Sequence, residues 1–347
     1  MIIDGPGSNH LMIMFDRRTD VDVQVGGVMR RSGFGRAALG ETEWKKTIRV
    51  SILDYKQEPH KAKEMGAVRQ SINSIINSHS INTVVVLQSS QFADVRTTNL
   101  AWNVFKPGSP YNWAGTVLPI NGVNVCPVLN PYNADWAYNW LIRRQLIQAH
   151  SLATGTLRCR EWPTLITVPG PSMTSELERL LKAPYVAIDI ETDTKKSIIS
   201  CIGISDGRGA VSVPWDDFVV AGTDRWEVGA AASTKDLVRQ LLASGSTKIG
   251  HNFTFDVYNL GQHGIEVRGP LEDTLLMSHS IFPQFRKGLQ QCAAMCFAIE
   301  PWKSLHKPPT MKDGDKWLAT PEATRLYNAK DATATVWIYE KFLEWMI

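Results

Sequence analysis

The chain has 347 residues, 44% hydrophobic and 20% charged, long enough for two domains with cores of their own. It has no apolar run of about eighteen residues and no signal-peptide core at its start, so a membrane-spanning or exported protein is not expected, and a cytoplasmic one is. The net charge of +3 is unevenly spread: residues 1–172 hold 18 Lys and Arg against 12 Asp and Glu (+6), and residues 173–347 hold 19 against 22 (−3).

A basic first half beside an acidic second half suggests a nucleic-acid-facing part next to one whose carboxylates hold metal. The five cysteines (Cys126, Cys159, Cys201, Cys292, Cys296) are odd in number and scattered, which fits reduced thiols. Cys292 and Cys296, four apart in an apolar helical stretch, are expected to pack in a core.

In chain order, Leu11-Met-Ile-Met-Phe15 predicts a first buried strand. The glycine-rich segment after it, with Gly26-Gly27, Arg30-Arg31 and Gly33-Phe-Gly-Arg36, matches neither the P-loop nor the dinucleotide spacing and reads as a flexible basic loop. Lys45 to Leu53 predicts a strand, residues 61–78 a helix, Thr83–Leu87 a short apolar strand, and Asn124–Pro131 a last strand and turn. A helix over Trp136–His150 carries Arg143 and Arg144. This α/β order over residues 1–162 resembles a uracil-DNA glycosylase-type domain, which some phage polymerases carry ahead of their exonuclease. That family uses a histidine–proline pair after its last strand, where this chain has Asn130-Pro131. Neither an acidic or asparagine-bearing loop after the first strand nor the four cysteines of an iron–sulfur cluster is evident. The expectation is a DNA-contacting domain in which glycosylase chemistry is lost.

A short proline-marked linker, Trp162-Pro163 through Pro169-Gly-Pro171, leads into residues 163–347. Thr164–Val168 predicts a strand and residues 174–183 a helix capped by Thr174 or Ser175. Tyr185-Val-Ala-Ile-Asp-Ile-Glu-Thr192 reads as a strand, and two more follow over 198–204 and 209–214 around the Asp206-Gly-Arg-Gly209 turn. Alternation puts Asp189 and Glu191 on one face of their strand. Two neighbouring half-buried carboxylates repel, so the pair is either a solvated strand end or a cation site. Gly250-His-Asn-Phe-Thr-Phe-Asp256 follows another short strand and opens a helix that ends near Gly261 or Gly264, with Asn252 near the N-cap and Asp256 in the first turn. Asp273 is read as the N-cap of the next helix. Thr320, Pro321 and Glu322 begin the last one, on which Tyr327 and Asp331 share a face one turn apart.

Asp-x-Glu, then Asn-x-x-x-Asp, then Tyr-x-x-x-Asp, in this order, resembles the tyrosine subclass of the DEDD 3′–5′ exonucleases, nearest in likeness to the proofreading domain of family A DNA polymerases. The resemblance implies a ribonuclease H-like α/β fold and two divalent ions, Mg²⁺ or Mn²⁺. It implies that Asp189 bridges both ions, Glu191 and Asp331 complete the first, Asp256 supports the second, and Tyr327 orients the attacking water. It also implies substrate contacts from Thr192, Asn252 and Phe255. The family usually has a leucine wedge four residues after its Glu; this chain has Lys195. Trp302–Lys307 and Lys312–Trp317 read as a basic, aromatic-laced loop that either steers a single strand or decorates the surface. The expected substrate is the 3′ end of single-stranded or frayed DNA, with an RNase D-like RNA-trimming enzyme or a non-catalytic DNA-binding or polymerase-accessory module as the rivals. No polymerase palm or fingers follow Asp331, so a separately encoded DNA polymerase is an expected partner, alongside a free-standing enzyme or a fragment.

Overall fold

A computed structural model describes residues 2–15, 38–51, 62–88, 113–129, 138–193, 198–216, 228–303 and 321–347. The chain divides into two units, Met1–Arg160 with Ala294–Pro301, and Glu161–Ala293 with Trp302–Ile347. Among the described residues, no helix is long and apolar enough to cross a membrane. The 26–36 basic loop, Asn130-Pro131, Lys195 and the loop beyond Lys303 lie outside the described residues.

The first unit is built on short strands of unbroken apolar sequence, the pattern of a parallel sheet covered on both faces. Strands β1 (Ile2–Asp4), β2 (Leu11–Phe15), β3 (Ile48–Ser51), β4 (Thr83–Gln88), β5 (Leu118–Ile120) and β6 (Val123–Leu129) lie in the order β1-β3-β2-β4-β6-β5. The central four are parallel and the two edges antiparallel. One face packs Met12, Met14, Val84 and Val86 against Ile72, Ile75 and Ile76 of helix α2 (Ala62–Ser78). The other packs Leu11, Ile13, Val85 and Leu87 with Ile142, Leu146 and Ala149 of helix α3 (Asn139–Ala153).

Three expectations shift here. Leu11–Phe15 is preceded by β1, so it is the second strand. Lys45 and Lys46 end a short helix, α1 (Glu41–Lys46), instead of opening a strand; Lys45 pairs with Glu41 and Lys46 with Glu43, helical spacings that offset a weak apolar signal. Helix α3 starts three residues later than expected and runs three residues further.

The second unit holds β7 (Thr164–Ile166), β8 (Tyr185–Asp193), β9 (Ile198–Ser205), β10 (Gly209–Pro214), β11 (Thr247–Gly250) and β12 (Leu271–Asp273), ordered β12-β11-β8-β9-β10-β7. Strands β8, β9 and β10 form the expected antiparallel meander, and β11 and β12 run parallel to β8. This mixed sheet with flanking helices is a ribonuclease H-like fold. Helix α4 (Pro171–Leu180) begins at Pro171, because proline's fixed φ suits the first helical position, so Thr174 and Ser175 lie inside it. The even residues of β8 (Val186, Ile188, Ile190) bury against Met173, Leu177 and Leu180 of α4 and Val238, Leu241 and Leu242 of α5 (Val228–Leu242). The odd residues face α9 (Pro321–Met346), where Ala187 meets Val336. Helices α6 (Thr254–Gln262), α7 (Thr274–Ile281) and α8 (Leu289–Cys296) complete the order. All five cysteines are free; Cys292 and Cys296 are both buried, as core packing requires.

Candidate active site

The sheet face under α9 carries the acidic residues. Asp189, Glu191 and Asp331 each offer a carboxylate oxygen, and these three atoms lie within 4.8 Å of one another. Two come from the odd face of β8 and the third from the middle of α9, so the cluster exists only when helix and sheet are packed. Burial, then the like charges of Asp331, Glu191 and Asp256, hold the Asp189 carboxyl well above the usual carboxylate range. Hard oxygen donors at this spacing, unhappy as bare anions, fit a divalent cation such as Mg²⁺ or Mn²⁺ better than thiophilic metals.

Asp256 sits in the first turn of α6, as expected, 6% exposed. Its Oδ1 accepts the backbone N–H of Ile190 at 2.9 Å, which ties α6 to β8 between the two β8 acids. Burial raises its carboxyl to about 7, against the pull of that hydrogen bond. Tyr327 lies one turn before Asp331. Burial, then Asp331, Asp189 and Glu191, push its phenol far up, so it stays protonated at any working pH.

Several site residues escaped the sequence reading. Asn328, fully buried, donates from Nδ2 to Asp189 Oδ2 at 2.7 Å and to the Asp189 carbonyl at 2.9 Å, and its Oδ1 accepts from Ser212 Oγ at 2.6 Å. Its available signal was the three-residue spacing to Asp331, which puts both on one helical stripe. Gly203, opposite Asp189 in the β8–β9 ladder, makes room for it: a Cβ there would stand 2.6 Å from Asn328 Oδ1 and 2.8 Å from its carbonyl oxygen.

Trp302 corrects an expectation. It lies in a loop, as expected, but does not decorate the surface: it is 1% exposed, and its indole N–H donates to Asp331 Oδ1. Trp162 packs edge-on against it at 5.3 Å and stacks on Trp337 at 5.2 Å, so two further tryptophans brace this donor. Lys303, next in sequence, reaches Asp331 Oδ2 at 2.7 Å and lies 5.0 Å over the Tyr327 ring. The Gln290 side-chain carbonyl accepts both backbone N–H groups, from Trp302 at 3.0 Å and Lys303 at 2.9 Å, and so sets their place.

Asp273 caps α7, as expected, by accepting from Leu275 N at 2.8 Å. The same carboxylate accepts from Asn252 N at 3.0 Å and Phe253 N at 2.9 Å. Asn252 is near the N-cap of α6, as expected, the cap position itself being Phe253. It takes a left-handed φ of 66° two residues ahead of the helix, exposed, and the acidic group serving that end is Asp273. Phe255 is 45% exposed on the first turn of α6. Thr192 lies just past an irregularity in the β8–β9 register and pairs with Ile199. Of the four carboxylates expected to hold metal, the cluster brings together three, and Asp256 is not among them.

The three carboxylates that converge on this sheet are a donor set that fits divalent cations. Residues 172–346, half of the chain, match the 3′–5′ exonuclease family, and the chain belongs to that family, within the DEDD superfamily whose members use two divalent ions. No curated protein matches the chain. Similar solved structures include Brucella melitensis NrnC (18% identity over 52% of this chain and 81% of that one, TM-score 0.37). Escherichia coli RNase D, an exoribonuclease involved in structured RNA processing, gives 18% identity over 52% and 44%, TM-score 0.36. The Aedes aegypti Nibbler EXO domain gives 14% over 54% and 90%, TM-score 0.36.

Proposed function

We propose that the protein is a tyrosine-subclass DEDD exonuclease that removes nucleoside monophosphates from the 3′ ends of single-stranded or frayed DNA. The observation that carries this is the three-carboxylate cluster with Tyr327 one helical turn from Asp331. Two divalent ions, when bound, stabilise charge on the attacking and leaving oxygens of an in-line displacement. Asp189, Glu191 and Asp331 would hold them, with Asp256 in support. Asn328 keeps the Asp189 carboxylate pointed at its neighbours, and Trp302 does the same for Asp331. Tyr327, held neutral, donates a hydrogen bond and orients water; it is the wrong protonation state for a base. Lys303 adds positive charge beside Asp331, where a scissile phosphate's charge needs partners.

DNA is favoured over RNA by the likeness of the three motifs to polymerase proofreading domains. The four-stranded parallel core of the first unit supports the α/β part of the phage-type glycosylase-like reading of residues 1–162, and a separately encoded polymerase remains the proposed partner. One assay tests the substrate: 5′-labelled single-stranded DNA and RNA, each with Mg²⁺, Mn²⁺ or EDTA. The expected result is a ladder shortening from the 3′ end of DNA with either metal and none with EDTA. Faster shortening of RNA would reverse the substrate, and metal-independent cleavage would remove the mechanism.

A further inference from the structure

Within the first unit, helix α3 presents Trp140, Arg143, Arg144, Ile147 and Gln148 at spacings of three and four, one continuous face. That face is one wall of a groove of about 620 Å³, whose other walls are Leu157 to Arg160 and Cys296 to Ala298. The volume falls within the roughly 300–1,000 Å³ of ligand sites. Among the described residues that line it are four arginines, with no lysine and no acid. Arg144 donates to the Met295 and Cys296 carbonyls at 2.8 and 3.3 Å, so it builds the wall. Arg160 lies 4.5 Å over the Phe297 ring. Arg143 and Arg158 are exposed, and Trp140 (45%) and Ile147 (43%) present large apolar surface beside them.

We propose that this groove is a second nucleic-acid site, separate from the carboxylate cluster, that holds a short run of single-stranded nucleic acid. Guanidinium groups match phosphate oxygens two at a time, which explains arginine in place of lysine. The Trp140 indole, half-exposed with the Arg144 guanidinium 5.8 Å from its ring centre, offers aromatic surface on which any base can stack. An acidic peptide would satisfy the charge but leave the indole uncovered. The ligand class rests on the single-strand substrate proposed above; the groove itself does not.

The test uses the full chain in EDTA, where nothing is cut, and fluorescein-labelled oligothymidylates read by anisotropy from about 50 to 200 mM salt. Arg143→Gln/Arg158→Gln should weaken binding at least tenfold at the lowest salt. It should also flatten the slope of log affinity against log salt by about 1.4, the share of two phosphate contacts on a single strand. Trp140→Ala should weaken binding roughly 5- to 150-fold with the slope kept. Hydrolysis of a dinucleotide with Mg²⁺ should be unchanged in all variants, and their melting curves should overlay the parent's. Unchanged affinity and slope in the double variant would overturn the proposal. So would loss of polyglutamate binding in that variant while oligonucleotide binding stays. If the parent cut no strand with Mg²⁺, the proposed activity would fall, while binding in EDTA would still decide the groove.

Discussion

Tyr327 and Asn328 are neighbours on α9 with opposite duties. The phenol, kept protonated by burial and by three carboxylates, can position water but not act as a base, so Tyr327→Phe should lower kcat about 10²- to 10⁴-fold and leave metal affinity by calorimetry nearly intact. A parallel loss of metal affinity would make the tyrosine structural. Asn328→Ala strips hydrogen bonds from Asp189 and leaves the buried Ser212 hydroxyl without its acceptor. It should cost about 1–3 kcal/mol in a denaturant melt and reduce metal affinity as well. A variant as stable and as metal-competent as the parent would show that the bridge is idle. That Asp189 and Glu191 share a strand face, and Tyr327 and Asp331 a helix face, was legible from the strand and helix periods. The residues that hold them were not: Trp302 meets Asp331 from 29 positions away, and Asn328 meets Asp189 from 139. Such pairings depend on how α9 crosses the sheet, which no local pattern encodes.

Between elements, the decisive contact is α9 on β8, β9 and β10. It tolerates no side chain at Gly203, where a Cβ would collide with the backbone and side chain of Asn328. Gly203→Ala should destabilise the fold by about 1–3 kcal/mol and displace Asn328, lowering turnover along with the melting temperature. Full activity with an unchanged melt would place α9 further from the sheet than described. The meander β8-β9-β10 was readable from alternation and the Asp206–Gly209 turn, and so was the start of α9 at Pro321. Short strands such as β5 and β12 were missed because three residues carry no period of their own and gain their form from the neighbour they pair with. Asn252 lies next to the α6 cap, as the sequence suggested, but the carboxylate that takes its N–H and that of Phe253 belongs to Asp273, 21 positions on, a pairing no local pattern shows.

At the scale of the molecule, the acidic half is poised against itself until a cation arrives. Asp189 and Asp256 have folded-state pKa values above the unfolded 3.8, with Asp256 at about 7. The native state therefore binds more protons than the unfolded chain from about pH 4 to 7, so this stability is present below that window and is lost as pH rises through it. In EDTA the melting temperature should fall between pH 5 and 8, Asp256→Asn should shrink that fall, and Mn²⁺ at pH 8 should restore the midpoint. A midpoint that rises over the same range in EDTA would contradict the raised carboxyls. The acidic cluster lies in one unit and the arginine-lined groove in the other. The central claim, that Asp189 anchors a two-ion 3′–5′ exonuclease centre, is tested most directly by Asp189→Ala. With labelled single-stranded DNA and saturating Mg²⁺, the folded variant should lose nearly all activity; a rate within about tenfold of the parent would contradict the assignment, since one positioned catalytic group is usually worth at least 10².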